Sequence, residues 1–200
     1  MPVSPLETLL SIAIGLCLAA ACGFRVFLPL AGLSAASLAG HLPLALHFQW
    51  LATTPAAVAL GTATVAEVMA YYVPWLDHAL DALATPAAVA AGILATSAVV
   101  IDLPPVLKWA IALIGGGGAA GLIQGASVLL RLKSAALTGG TGNPVVATGE
   151  LIGAATLAVL GLLVPLLGLA LAIGIVAWAS RRVGRLIFGR SAAKRTAAPT

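Results

Sequence analysis

Charge is scarce in this chain. Of its 200 residues only 8% are Asp, Glu, Lys or Arg, against roughly a quarter in ordinary globular domains, while 61% are hydrophobic. The apolar surplus is spread along the whole length, so most residues have no place in a water-facing shell, and a soluble domain is excluded. Cysteine is limited to Cys17 and Cys22, at a spacing that is neither a zinc nor a redox motif; both read as small packing residues. Histidine is limited to His41, His47 and His78, with no HExxH, and no Ser or Cys has a His and an Asp beside it. A metal site, a cofactor and a catalytic set are therefore not expected, and the chain does not read as an enzyme. Basic residues are missing ahead of the first apolar run, where the first charge is Glu7. A secretory leader needs a basic region there, so the first apolar segment is expected to stay in the mature protein.

The sequence does contain long apolar segments, and they predict one all-α, polytopic membrane bundle over residues 1–180 with a basic, disordered tail at 181–200. Three segments share a start: "TPAAVA" at Thr54, "TPAAVA" at Thr85 and "NPVVAT" at Asn143. Thr or Asn can cap a helix, and Pro suits its first position because the N–H it lacks would be unpaired there. Helices are expected over about 6–23, 55–73, 86–101 and 106–130. A broken or re-entrant piece, interrupted at Pro29, is expected over 24–39. The last apolar stretch, 144–180, is 37 residues long and exceeds one crossing of roughly 20, so it is divided near 161–165. "PWLDHALDAL" at 74–83 reads as a short interfacial helix.

The count is then about six crossings, and an inverted three-plus-three repeat is compatible with it. Six of the ten basic residues lie after Ser180, directly beyond an apolar run. By the positive-inside rule this end is cytoplasmic, as is a loop marked by Arg131 and Lys133. An even count puts the N-terminus inside too. Such a tail can meet anionic head groups, and its position favours a membrane over nucleic acid as partner.

Three charges fall well inside apolar segments: Arg25, Glu67 and Glu150. Each costs a few kcal/mol or more at mid-membrane unless it is paired, so each is a functional candidate. Glu67 lies six residues before its helix end and Glu150 six after Pro144, both about 9 Å deep at 1.5 Å per residue. The two carboxylates are expected to face one another and to clasp Arg25. Asp102 competes for that arginine, and Asp77 and Asp81 stand one turn apart nearby. Gln124 and Asn143 are the remaining polar candidates on the pathway. Gly117, Gly121 and Gly125 recur every four residues, a ridge for close helix contact. "GGGGAAGLIQGAS" follows no strand, and "TGGTGNPV" lacks the Lys of a phosphate loop, so neither indicates a nucleotide.

The stretches "ACGFRVFLPLAGL", "EVMAYYVPWLDHALDALATPAAVAAG", "GGGGAAGLIQG" and "TGNPVVATGE" resemble the domain of unknown function 4126 family of bacterial integral membrane proteins. The resemblance implies an intact polytopic domain in the inner membrane and supplies no activity. From the residues themselves, three readings stay open. One is a transporter or channel-like protein whose carboxylates carry protons or a cation, with Arg25 as counter-ion or anchor for an anionic solute. The second is a lipid flippase or scramblase. The third is a structural or assembly protein. A homo-oligomer is compatible with each.

Overall fold

A computed structural model describes residues 4–101 and 103–196, with the course of the backbone alone over 74–82 and 185–196. Asp102 and the side chains of Asp77 and Asp81 lie outside the described residues. Among the described residues the secondary structure is entirely helical.

Helix α1, Pro5–Cys22, begins where Ser4 and Glu7 satisfy each other's backbone N–H groups in a capping box, with Pro5 in the first turn. Helix α2, Phe27–Leu38, is short, 12 residues. The expected break at Pro29 is displaced to residues 23–26, because Pro29 sits in the first turn of α2, where a missing N–H leaves nothing unpaired. A 3-10 turn, Leu46–Ala52, leads into α3, Thr54–Ala70, capped by the Thr53 hydroxyl on the Ala56 N–H. These two meet at 68°, a broken or re-entrant pair.

Helix α4 spans Pro74–Val99 with Pro86 inside it. The second "TPAAVA" therefore does not open a helix, and the "PWLDHALDAL" segment forms the first turns of α4. The same six residues act differently because Thr53, before the first copy, is extended (φ −114°, ψ 149°), whereas a helix is already running when the chain reaches Thr85. Next come α5, Pro105–Ala110, a π-helical stretch, Ile111–Gly117, and α6, Gly118–Thr138, in one continuous 34-residue rod. Helix α7, Asn143–Leu163, and α8, Pro165–Thr196, meet at Val164, inside the expected division.

Four helices are long and apolar enough to cross a membrane, and five if the bent pair counts as one span; α2 and Leu83–Val99 are shorter apolar helices. Six is thus an approximate count. Direction is more informative. At one end Ala45 donates its N–H to Ala98 O, and Glu7, His41 and Ile101 line one cavity, so the start of α1, the end of α2 and the end of α4 lie together. At the other end Lys133 of α6 and Arg182 of α8 line a common cavity. The rods alternate in direction, and α2 turns back toward the end where α1 began. Counting α5–α6 as one, seven alternating rods place Pro5 and Arg182 at opposite ends. The expectation that both termini share a side fails, because the α1–α2 hairpin adds a reversal that a count of long apolar runs does not register.

α1 is the central helix, packed on α4, α6, α7 and α8. Four of its nine buried residues are alanine, and Leu18 and Cys17 are fully enclosed. Large apolar side chains such as Val58, Val65, Ile152 and Ile173 point outward, as lipid as solvent requires. Of the expected glycine ridge, a Cβ on Gly117 would stand 2.9 Å from Ile93 Cγ1 and one on Gly121 3.1 Å from Val89 Cγ2, but Gly125 faces open space. The tighter seam is one residue away. There a Cβ on Gly92 would meet Gly116 O at 2.8 Å and Ala120 Cβ at 2.7 Å, so α4 and the α5–α6 rod touch backbone to backbone.

Two expectations follow. Gly92→Val should abolish the monodisperse peak in size-exclusion chromatography, whereas Gly125→Ala, which enters open space and favours a helix by roughly 1 kcal/mol, should keep it. A normal profile for Gly92→Val means the seam is not closed. Single cysteines at Lys133 and Arg182 should react with an impermeant maleimide only from the cytoplasm, and one at Ser4 only from outside. Labelling of all three from the same side would contradict the alternating arrangement.

Candidate functional site

The loop between α1 and α2 carries Arg25, the largest fully buried side chain of the protein, 1% exposed. Its Nη2 donates to the Ala147 carbonyl at 2.8 Å and lies 3.5 Å from Glu150 Oε2 on α7. Glu150 is gripped a second time. Arg131 of α6 donates its Nε to Glu150 Oε1 at 3.1 Å, and its Nη2 to Oε2, a fork-on-fork pair. Both guanidinium groups also lie over the ring of Tyr71, from the end of α3. Arg25 Cζ lies 3.9 Å from its centroid and Arg131 Cζ 4.0 Å. Two like charges are thus held over one electron-rich ring and joined by one carboxylate.

Glu67, one turn before Tyr71 on α3, does something else. Its Oε1 accepts from the Val26 N–H at 2.8 Å and its Oε2 from the Phe27 N–H at 3.1 Å. These are unpaired donors at the start of α2, and a carboxylate at a helix N-terminus also meets the positive end of its dipole. The expectation that Arg25 clasps both carboxylates is therefore half right. Glu150 is a direct partner; Glu67 holds the loop on the C-terminal side of the arginine through its backbone. Arg25, Arg131, Glu67 and Glu150 sum to no net charge, the condition under which such a group is tolerable in an apolar interior. Two donors of Arg25, Nε and Nη1, have no hydrogen-bond partner among the described residues.

The sequence reading missed Arg131 and Tyr71. Arg131 was assigned to a loop, yet α6 continues seven residues past it and leaves it 4% exposed. A signal was available: Gln124, Ser127 and Arg131, spaced three and four apart, form one polar row on a helix face, and all three are buried. Lys133, two residues on, points elsewhere and is exposed. Tyr71 stands four residues after Glu67, on the same face. Gln124 lies about 10 Å along α6 from Arg131, and Asn143, buried at the start of α7, about 10 Å from Glu150. Among the described residues no three His, Cys, Asp or Glu side chains gather to hold a metal.

Two cavities flank the network. One, about 350 Å³, lies among α6, α7 and α8 and is lined by Phe24, Glu150 and Trp178 among others. The second, about 430 Å³, lies against α2, α3 and α4 and is lined by Val26, Phe27, Glu67 and Tyr71. Consecutive residues of one loop therefore face different cavities, and Arg25 between them lines neither.

A family model described as "Domain of unknown function (DUF4126)" matches residues 12–185, a span that contains every member of the network. No curated protein and no solved structure matches the chain.

Removing one side of a buried pair strands the other at a cost of about 3–5 kcal/mol. Arg131→Met should lower thermal stability in detergent by that order, and Glu150→Met in the same background should cost much less than it does alone. Additive effects of the two changes would show that the pair carries no coupling.

Proposed function

The chain belongs to the domain of unknown function 4126 family, and from the way its buried charges divide two cavities we propose that it is a small transporter-like membrane protein, not an enzyme. What carries this reading is the 23–27 loop. Phe24 lines the cavity that reaches Glu150, Val26 and Phe27 line the cavity that reaches Glu67, and Arg25 stands between as the partition. Joining the cavities means moving this loop, which breaks the Arg25 contacts to Glu150 and Ala147 and the Glu67 bonds to Val26 and Phe27. Glu67 then loses the two N–H donors that compensate its buried charge, and Glu150 keeps only Arg131, so uptake of a proton or a small cation offsets the loss. Loop movement and cation uptake are coupled by that requirement, and Arg25 serves as counter-ion or as the anchor for an anionic solute. Lys133, Arg181 and Arg182 favour a cytoplasmic position for the end that carries them. The network then sits about 10 Å below that surface, seven residues inside α7.

A second reading, movement of lipid, is favoured by the apolar lining of both cavities. One preparation separates the readings. Proteoliposomes with a trapped pH-sensitive dye, energised by a potassium gradient and valinomycin, should take up protons faster than empty liposomes, and Arg25→Gln should change that rate severalfold. Proton entry at the empty-liposome rate would overturn the proton-coupled reading. Dithionite-sensitive flipping of a fluorescent phospholipid would then put lipid movement in its place, and the absence of both would leave an assembly role.

A further inference from the structure

We propose that the groove among α6, α7 and α8 is a binding site for one anionic phospholipid, its head group held by Lys133 and Arg182 and an acyl chain lying in the cavity that runs inward past Trp178 to Phe24. The cavity of about 350 Å³ among these helices is continuous in its lining with a smaller one, about 140 Å³, at their basic end: Ala126, Leu130 and Trp178 line both. The smaller one adds Lys133 and Arg182. Apart from Ser127 and Glu150 the larger is apolar, with Ile123, Val145 and Ile175 along its walls.

Length and polarity fit a lipid held along one leaflet. From Lys133 to Ile123 is ten residues of α6, about 15 Å, which is half of the roughly 30 Å hydrocarbon thickness. The basic pair therefore stands at head-group depth when the far end of the groove stands near the midplane. Trp178 lies between these two zones, half exposed, with Arg182 Cζ 5.7 Å from its ring. An amphipathic ring at the boundary and a cation beside it are what a head group meets at an interface. Charge chooses among lipids. The mouth offers two cations, and the one carboxylate in the lining, Glu150, is already gripped by Arg131 and Arg25. A net-negative head group is complementary to that mouth, and a zwitterionic one gains less.

The site does not rest on the transport reading, because a lipid binds here whether or not anything crosses. Where the lipid seats, it fills the cavity on the Phe24 side of the Arg25 partition.

The test uses the full chain in nanodiscs with phosphatidylglycerol or phosphatidylcholine brominated on the acyl chains. Tryptophan quenching is recorded, and Trp178→Phe isolates the contribution of Trp178. That contribution should rise at about tenfold lower mole fraction of the glycerol lipid than of the choline lipid. Lys133→Gln with Arg182→Gln should bring the two lipids level. Gly149→Leu should weaken both, since Gly149 lines the groove and a Cβ there meets nothing within 4 Å, so the change fills the cavity and leaves the packing intact. Equal quenching by the two lipids in the native chain overturns the proposal. So does a preference that survives Gly149→Leu unchanged, which would place the lipid on the basic surface and not in the groove.

Discussion

Everything at the charged end of this bundle depends on a single carboxylate. Glu150 binds Arg131 in a fork and touches Arg25, and both guanidinium groups lie over the ring of Tyr71. The four residues come from α7, α6, the α1–α2 loop and the end of α3. Segments far apart in sequence are thus tied at one point, where the surrounding side chains are alanine, valine and leucine. The tie is unusual in charge: two cations share one anion directly, and the second anion, Glu67, acts from the other side of the loop. No member could be lost in isolation without leaving an uncompensated charge in an apolar interior.

A second constraint explains why Glu67 is present at all. Helix α2 begins inside the bundle and not in water, so its first N–H groups have no solvent to bond. No Ser, Thr, Asn or Asp precedes Phe27 to cap it; the residue there is Val26. Glu67 supplies from α3 what the local sequence omits, taking the N–H groups of Val26 and Phe27. The two buried glutamates, chemically alike, hold the same loop by different means. One binds its side chain and the other its backbone.

Much of this was legible in the sequence, for a physical reason: charge in an apolar run is costly, so Arg25, Glu67 and Glu150 announce themselves. The expected depth of about 9 Å holds nearly for Glu150 but not for Glu67, because α3 ends at Ala70, three residues or about 4.5 Å after it. Arg131 was hidden because a basic residue near the end of an apolar run is the ordinary sign of a cytoplasmic loop, and only the row with Gln124 and Ser127 marks it as buried. The role of Glu67 was hidden because a bond from a side chain to a distant backbone leaves no pattern in residue types. Pro86 misled for a different reason. A helix-start signature acts only where the preceding backbone is not already helical, and 74–84 is helical without it. The reversal of α2 was read as a break in the right neighbourhood, but four residues too late. Asp102 and the side chains of Asp77 and Asp81 lie outside the described residues.

The tight glycine contacts limit how the charged layer can move. Gly23 stands at the end of α1, two residues before Arg25, and a Cβ there would lie 2.7 Å from Ala120 O and from Ile123 Cβ. The loop therefore starts from a point pressed against α6 with no room for slack. Further down α1, a Cβ on Gly15 would meet Thr96 Cα at 3.1 Å, and Cys17 meets Gly161 as closely from the side of α7. Helix α1 is thus locked along its length on three neighbours and cannot carry the arginine away by tilting. Beyond Arg25, by contrast, α2 packs chiefly on α3 and α7, and its start is held by the two Glu67 bonds. Any displacement of the partition must accordingly be made by α2 and the residues joining it to Gly23. The energy that resists it lies in hydrogen bonds and ion pairs, which can exchange partners, and not in the alanine and glycine packing of α1, which cannot.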